Sequence, residues 1–129
     1  MCSSDLDYKV TIIEKSKAHR DYIKANAPTL TEVWSLEDLD KKSPIKVDLL
    51  SFIEVAEHMT DNEIETLFKQ VKPKYILFSS TSEITENDAT WGHINIKPQS
   101  DWVNMFKALG FTLIGSPNLP TTWAKVFKK

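Results

Sequence analysis

The sequence predicts an α/β fold: a Rossmann-like sheet of mostly parallel strands with a carboxyl-terminal antiparallel pair. Three observations carry that expectation. Short β-branched runs alternate with segments of helical periodicity over residues 9–109. Apolar residues form 41% and charged residues 26% of the 129, the balance of a globular domain rather than a disordered chain. The last two apolar runs, residues 111–114 and 122–127, are joined by a turn containing Pro117, Asn118 and Pro120, without a crossover helix. The length fits one domain over residues 1–129.

Each element has a local reason. Residues 9–13 (KVTII) are β-branched and read as a strand buried on both faces. Ser16 is a natural N-cap for a helix reaching Asn26, with Pro28 beyond it and Ala18, Tyr22 and Ile23 as its buried stripe. Residues 31–35 (TEVWS) form a short strand, followed by a polar connector with Pro44. Residues 46–53 (KVDLLSFI) are the strongest strand of the first half and run into EVAEHM, where alternation stops and a helical turn is expected. Thr60 and Glu63 make a capping box, and Ile64, Leu67, Phe68 and Val71 line one helical face up to Pro73. Residues 75–79 (YILFS) are again strand-like, whereas residues 80–99 have no period. A connection of that length in a small domain points to function. Ser100 is expected to cap a last helix with Trp102, Val103, Phe106 and Leu109 inward and Gly110 at C′.

Composition excludes several classes. All three glycines lie at or after position 92, so no phosphate-cradling G-x-G-x-x-G or P-loop exists in the chain. The net charge of −2 comes without any long run of one sign, so no DNA-binding or membrane-surface stretch stands out. The longest apolar stretch is interrupted by Asp48, Ser51 and Glu54 and is too short to span a bilayer. Cys2 is the single cysteine, which precludes an internal disulfide and suits a reducing cytoplasm. The opening MCSSDLD has neither the basic nor the apolar region of a signal peptide.

The residues with chemical potential gather after the strands. Glu14 directly follows the first strand, where an acid in an open α/β sheet can hold a ribose hydroxyl pair. Glu54, Glu57 and His58 stand at i, i+3 and i+4 and would share one face of a helical turn. With His93 from the long loop they offer either an oxygen–nitrogen metal site or an acid/base pair. A hydrogen-bonded turn steadied by the histidines is the plainer alternative, because E-x-x-E-H lacks zinc-finger-like specificity. Trp34, Trp102 and Trp123 are expected in the core, and Trp91 over a pocket. His19 is expected on the surface. No G-x-S-x-G elbow supports a hydrolase.

Three segments together resemble the later part of class I S-adenosylmethionine-dependent methyltransferases of the small-molecule type. KVTIIEKS resembles the second strand of that fold, VDLLSFIEVAEHM its fourth strand and following turn, and WGHINIKPQSDWVNMFKALGF the segment after its fifth strand. The resemblance covers roughly residues 8 to 129. It implies S-adenosylmethionine as cofactor, with Glu14 on the ribose, Glu37 or Asp38 near the adenine, and Ile53 and Glu54 near the methionine moiety. His93 or His58 would serve as general base toward a small-molecule acceptor. A related subgroup that methylates the terminal 2′-hydroxyl of small RNAs holds a divalent metal with a similar E-x-x-E-H and a downstream histidine.

Class I enzymes open with a strand and a D-x-G-x-G-x-G loop, in which glycine permits close backbone approach to the cofactor. That loop is not among these 129 residues. The expectation is therefore a sheet lacking its first strand, completed by a missing N-terminal polypeptide or by a homodimer. The alternatives are a degenerate methyltransferase fold kept as a binding or dimerisation module, and a different α/β ligand-binding domain.

Overall fold

The protein is described by a computed structural model, covering residues 9–27, 31–84, 92–119 and 123–129. Pro28, Trp91, Pro120 and Thr122 lie outside the described residues. The chain divides into two compact units, Met1–Ser43 and Pro44–Lys129.

The first unit holds β1 (Val10–Ile13), α1 (Lys17–Asn26), β2 (Thr31–Trp34) and α2 (Leu36–Lys42). Strands β1 and β2 pair in parallel, Val10 opposite Thr31 and Ile13 opposite Trp34. Ser16 caps α1 as expected, its hydroxyl accepting from the His19 amide. Two expectations fail in this unit. Strand β1 is not buried on both faces, since Val10 is exposed and the other three residues are half-buried. Among the described residues β2 is its one partner, so β1 sits at the edge of a two-stranded sheet. No residue of α1 is buried, and Tyr22 of the expected stripe is 70% exposed. Two strands offer too narrow a surface for a ten-residue helix to bury a stripe against. The polar connector contains a helix that periodicity missed. Helix α2 is seven residues long and rests on a Ser35–Asp38 capping box with Leu39 as its single buried side chain. Leu36 and Leu39 are its only apolar positions, and a single pair sets no period.

The second unit holds β3 (Ile45–Ile53), a 3₁₀ turn (Ala56–His58), α3 (Asp61–Gln70), β4 (Val71–Ser79), α4 (Gln99–Ala108), β5 (Thr112–Gly115) and β6 (Lys125–Lys128). Its sheet runs in the order β3-β4-β6-β5. Strands β3 and β4 are parallel, from Ile45 opposite Val71 to Ile53 opposite Ser79. Strand β6 runs antiparallel to both β4 and β5. The α/β class and the carboxyl-terminal antiparallel pair are thus present. A single, mostly parallel sheet is not what the described residues form: they make a two-stranded parallel sheet and a mixed four-stranded one. The short β5–β6 connection carries no crossover helix, so antiparallel pairing follows.

Strand alternation places Leu50, Phe52, Ile76 and Phe78 on one face with Phe127 of β6. Ile64 and Phe68 of α3 and Trp102 and Phe106 of α4 join them in one core. The Phe106 ring lies 4.8 Å from Phe78, 4.9 Å from Phe127 and 5.5 Å from Phe68. Three boundaries shift from expectation. Helix α3 ends at Gln70, and Pro73 lies inside β4 opposite Val47. Pairing with β6 begins only at Tyr75. By alternation Pro73 faces β3, as Ser79 does, so the β3–β4 ladder goes without one N–H donor there. Helix α4 starts at Gln99 after Pro98, without the side-chain cap expected from Ser100. Gly110 follows the helix at φ +95, the left-handed C′ position expected of it.

Replacing Phe106 by Ala is expected to destabilise the second unit by about 3–5 kcal/mol, because its ring bridges both helices and the sheet. Loss of the Thr60 cap by substitution to Ala is expected to cost only about 1 kcal/mol. Urea unfolding of the two variants beside the wild type measures both.

Candidate functional site

Parallel strands β3 and β4 end side by side, and the chain after each ending turns into polar structure. Glu54 follows β3 at φ +53, a left-handed conformation that costs a residue with a side chain roughly 1–2 kcal/mol. Its amide donates to the Ser79 carbonyl at 2.7 Å, and its carboxylate accepts the Ser79 hydroxyl at 2.8 Å. Glu54 is therefore turned toward β4. It does not share a helical face with Glu57 and His58, because the helical geometry begins only at Ala56.

Glu57 is 1% exposed, an unusual position for a carboxylate. One of its oxygens, Oε2, accepts the hydroxyl of Ser80, which is also fully buried. The other, Oε1, lies 3.6 Å from Nε2 of His58. The His58 ring is fixed from its far side, with Nδ1 3.0 Å from the Gly92 carbonyl oxygen. A carbonyl only accepts, so Nδ1 donates its proton in this bond and Nε2 is the ring nitrogen turned toward Glu57. The His93 ring stands 4.8 Å from that of His58, edge to face. One ligand atom from each of Glu57, His58 and His93 falls within 4.8 Å of the others. Gly92 takes φ +74, and a Cβ there would stand 3.3 Å from the His58 ring.

Backbone and side-chain bonds hold the two segments together. The Glu57 carbonyl accepts the amides of both Ile94 and Asn95, at 2.8 and 3.0 Å. The Asn95 amide group donates to the Met59 carbonyl and to Asp61. Lys97 reaches the same Asp61 carboxylate at 3.2 Å. Asn95 first, and Lys97 second, hold the Asp61 carboxyl below its ordinary range. Beyond them, Gln99 donates to the Ser80 carbonyl and the Ser82 hydroxyl while accepting from Lys125. Burial pushes the Lys125 ammonium below the usual lysine range.

The first unit holds the other expected residues. Glu14 follows β1, its amide bonded to the Trp34 carbonyl and its carboxylate 2.9 Å from His19 Nδ1. His19 is exposed, as expected, but engaged. Glu37 joins Lys15, Arg20, Ser35 and Leu36 around a cleft of about 230 Å³. Asp38 is committed to the helix cap, accepting the Ser35 amide, and that bond lowers its carboxyl below the ordinary value. Between Glu37 and Asp38, it is Asp38 whose carboxylate is taken up by the cap. Ile53 ends β3 with 38% of its surface exposed. Trp102 is a core residue as expected, whereas Trp34 and Trp123 are half-buried.

Sequence reasoning missed Ser80, Asn95, Asp61, Lys97 and Gln99 as site residues. The available signal was position: a serine at the end of a buried strand, and polar residues spaced after a Gly-His pair. Comparison with known protein families, with curated proteins and with solved structures finds no match to this chain. No helix among the described residues is long and apolar enough to cross a membrane.

Replacing Ser80 by Ala removes the hydroxyl donor of a buried carboxylate and is expected to destabilise by about 1–3 kcal/mol in a thermal melt. Asp61 has a lowered carboxyl, so its stabilisation is present above the unfolded-state value of 3.8 and is lost as pH falls through the folded-state one. The melting difference between wild type and Asp61→Asn is accordingly expected at neutral pH and to shrink in acid.

Proposed function

We propose that the chain acts in S-adenosylmethionine-dependent methyl transfer to a small-molecule acceptor. One observation carries the reading: two segments that resemble methyltransferase motifs, E-V-A-E-H and G-H-I-N, are bonded to each other at the carboxyl ends of a parallel strand pair. In open α/β sheets that edge is where ligands bind. A Rossmann-like arrangement of the strands belongs to this same reading.

The residues fit such a cofactor to different degrees. In the first unit, Glu14 presents a carboxylate at a strand end, oriented by His19, as binding a ribose diol requires. Glu37 borders a cleft, whereas Asp38 is occupied by its cap. In the second unit, the resemblance assigns Ile53 and Glu54, at the carboxyl end of β3, to the methionine portion. When bound, the cofactor supplies an electrophilic methyl group, and the protein's work is alignment of the acceptor. His58 Nε2 and the His93 ring are the groups suited to take a proton from an acceptor hydroxyl.

A second reading has its own support. Glu57, His58 and His93 form a two-histidine, one-carboxylate set, whose donors suit Mn²⁺, Fe²⁺, Co²⁺ or Zn²⁺. The Nδ1–H bond from His58 to the Gly92 carbonyl is the kind of support that orients a ligating imidazole. A cation held there would polarise an acceptor hydroxyl, as in metal-assisted 2′-O-methylation of RNA.

Calorimetric titration with S-adenosylhomocysteine tests the first reading. Saturable binding, weakened about tenfold by Glu14→Gln, is the expected result. A folded chain that binds none of it would instead support a binding or dimerisation module. Titration with Co²⁺, followed by its visible absorption, tests the second, and His58→Ala and His93→Ala should each abolish the signal.

A further inference from the structure

The opposite pole of the second unit carries a second candidate site. A cleft of about 650 Å³ opens at the amino ends of β3 and β4, well within the size of small-molecule sites. Strand β3 has nine residues, so this cleft is separated from the Glu57–His58–His93 cluster by roughly the length of the strand, about 30 Å. Five lysines line it, namely Lys46, Lys69, Lys72, Lys74 and Lys129, against the single carboxylate side chain of Glu65. The sequence shows no basic run here; the fold gathers the lysines from β3, α3, β4 and the residue after β6.

Two features separate this cluster from an ordinary solvated surface. Lys46 and Lys72 are direct cross-strand partners in the β3–β4 register. Like charges so placed destabilise a sheet unless something between them compensates. Among the described residues none of the five lysines makes an ion pair, and the side chains of Lys46 and Lys69 make no hydrogen bond either. The other three are held in place. Lys72 Nζ donates to the Phe68 carbonyl near the end of α3, and Lys129 Nζ donates to the Leu109 carbonyl after α4. Lys129 also lies 4.9 Å from the centre of the Phe111 ring, over Gly110, where a side chain would collide with its ammonium. Lys74 lies over Tyr75. Capping of helix ends accounts for Lys72 and Lys129. The dipole of α3 also favours Lys69 in its last turn, which leaves Lys46, opposite Lys72, unexplained. The rest of the wall is carbon, from Val47, Pro73 and Leu109 with Phe68 and Phe111 beneath.

We infer that this cleft binds a small molecule that joins a polyphosphate to an apolar or aromatic body, with a nucleoside triphosphate as the representative. Converging ammonium groups match several phosphate charges, and the apolar wall receives the remainder. A single phosphate would leave the Lys46–Lys72 pair and Lys69 only partly offset. The inference is independent of methyl transfer, since no residue of the cleft belongs to the other site.

Titration calorimetry at low salt with ATP, inorganic tripolyphosphate and a ten-nucleotide RNA tests it. ATP is expected to bind with 1:1 stoichiometry, more tightly than tripolyphosphate, with affinity falling as salt rises. The double variant Lys46→Ala, Lys69→Ala should weaken ATP about tenfold or more while keeping the wild-type melting temperature, because neither side chain is bonded within the described protein. Glu65→Gln should tighten it. Absence of saturable ATP binding, or equal binding by the double variant, would overturn the site. Tripolyphosphate equalling ATP would overturn the apolar-body assignment, and stronger binding of the RNA would assign the lysines to a polymer backbone instead. Unchanged S-adenosylhomocysteine binding in the double variant keeps the outcome distinct from that of the other site.

Discussion

A buried carboxylate organises the second unit. Glu57 lies within a three-residue 3₁₀ turn, its side chain shielded from water and its carbonyl accepting two amides from a segment almost forty residues away. A charge taken out of water is costly unless it is hydrogen-bonded or paired, so its neighbours are constrained in turn. Ser80 has to stand at the end of β4 to supply a hydroxyl, and His58 has to face back toward Oε1. Gly92 has to be a glycine at positive φ for its carbonyl to meet the far side of the His58 ring. The candidate site is a consequence of these demands rather than an addition to a finished scaffold.

The strands of this sheet change character along their length. On the face toward α3 and α4, β3 and β4 carry Leu50, Phe52, Ile76 and Phe78 at their carboxyl halves. Toward their amino ends the same alternation places Lys46, Asp48, Lys72 and Lys74. Apolar packing therefore anchors the end where turns must be held still, and basic side chains gather where the sheet opens. A stable core beside the histidine cluster gives rigid support to groups whose spacing decides what they can bind.

Much of this was legible in the residues. Thr60 with Glu63, Ser16 before a helical run, and the Ile64–Phe68 spacing each located an element, because a cap or a buried face is written in two or three nearby side chains. The grouping of Glu57, His58 and His93 was also readable, since two motifs pointed to one strand edge. Long-range pairing was less legible. Pro73 looked like a helix stop, and nothing local showed that β4 would pass through it. Glu54 looked like a helical neighbour of Glu57 until its left-handed backbone turned it toward Ser79. The lysine cleft was invisible for the same reason, as its members are scattered from position 46 to position 129.

The dependence of the site on Glu57 can be read at two amides. Ile94 and Asn95 are both bonded to the Glu57 carbonyl in a stretch without regular secondary structure. If the clamp holds, native-state hydrogen exchange should show these two amides protected to nearly the same free energy as the β3–β4 ladder. Exchange at the rate of an open loop, with the ladder still protected, would show that the 92–98 segment is not fixed to the turn. The histidine cluster would then have no defined geometry.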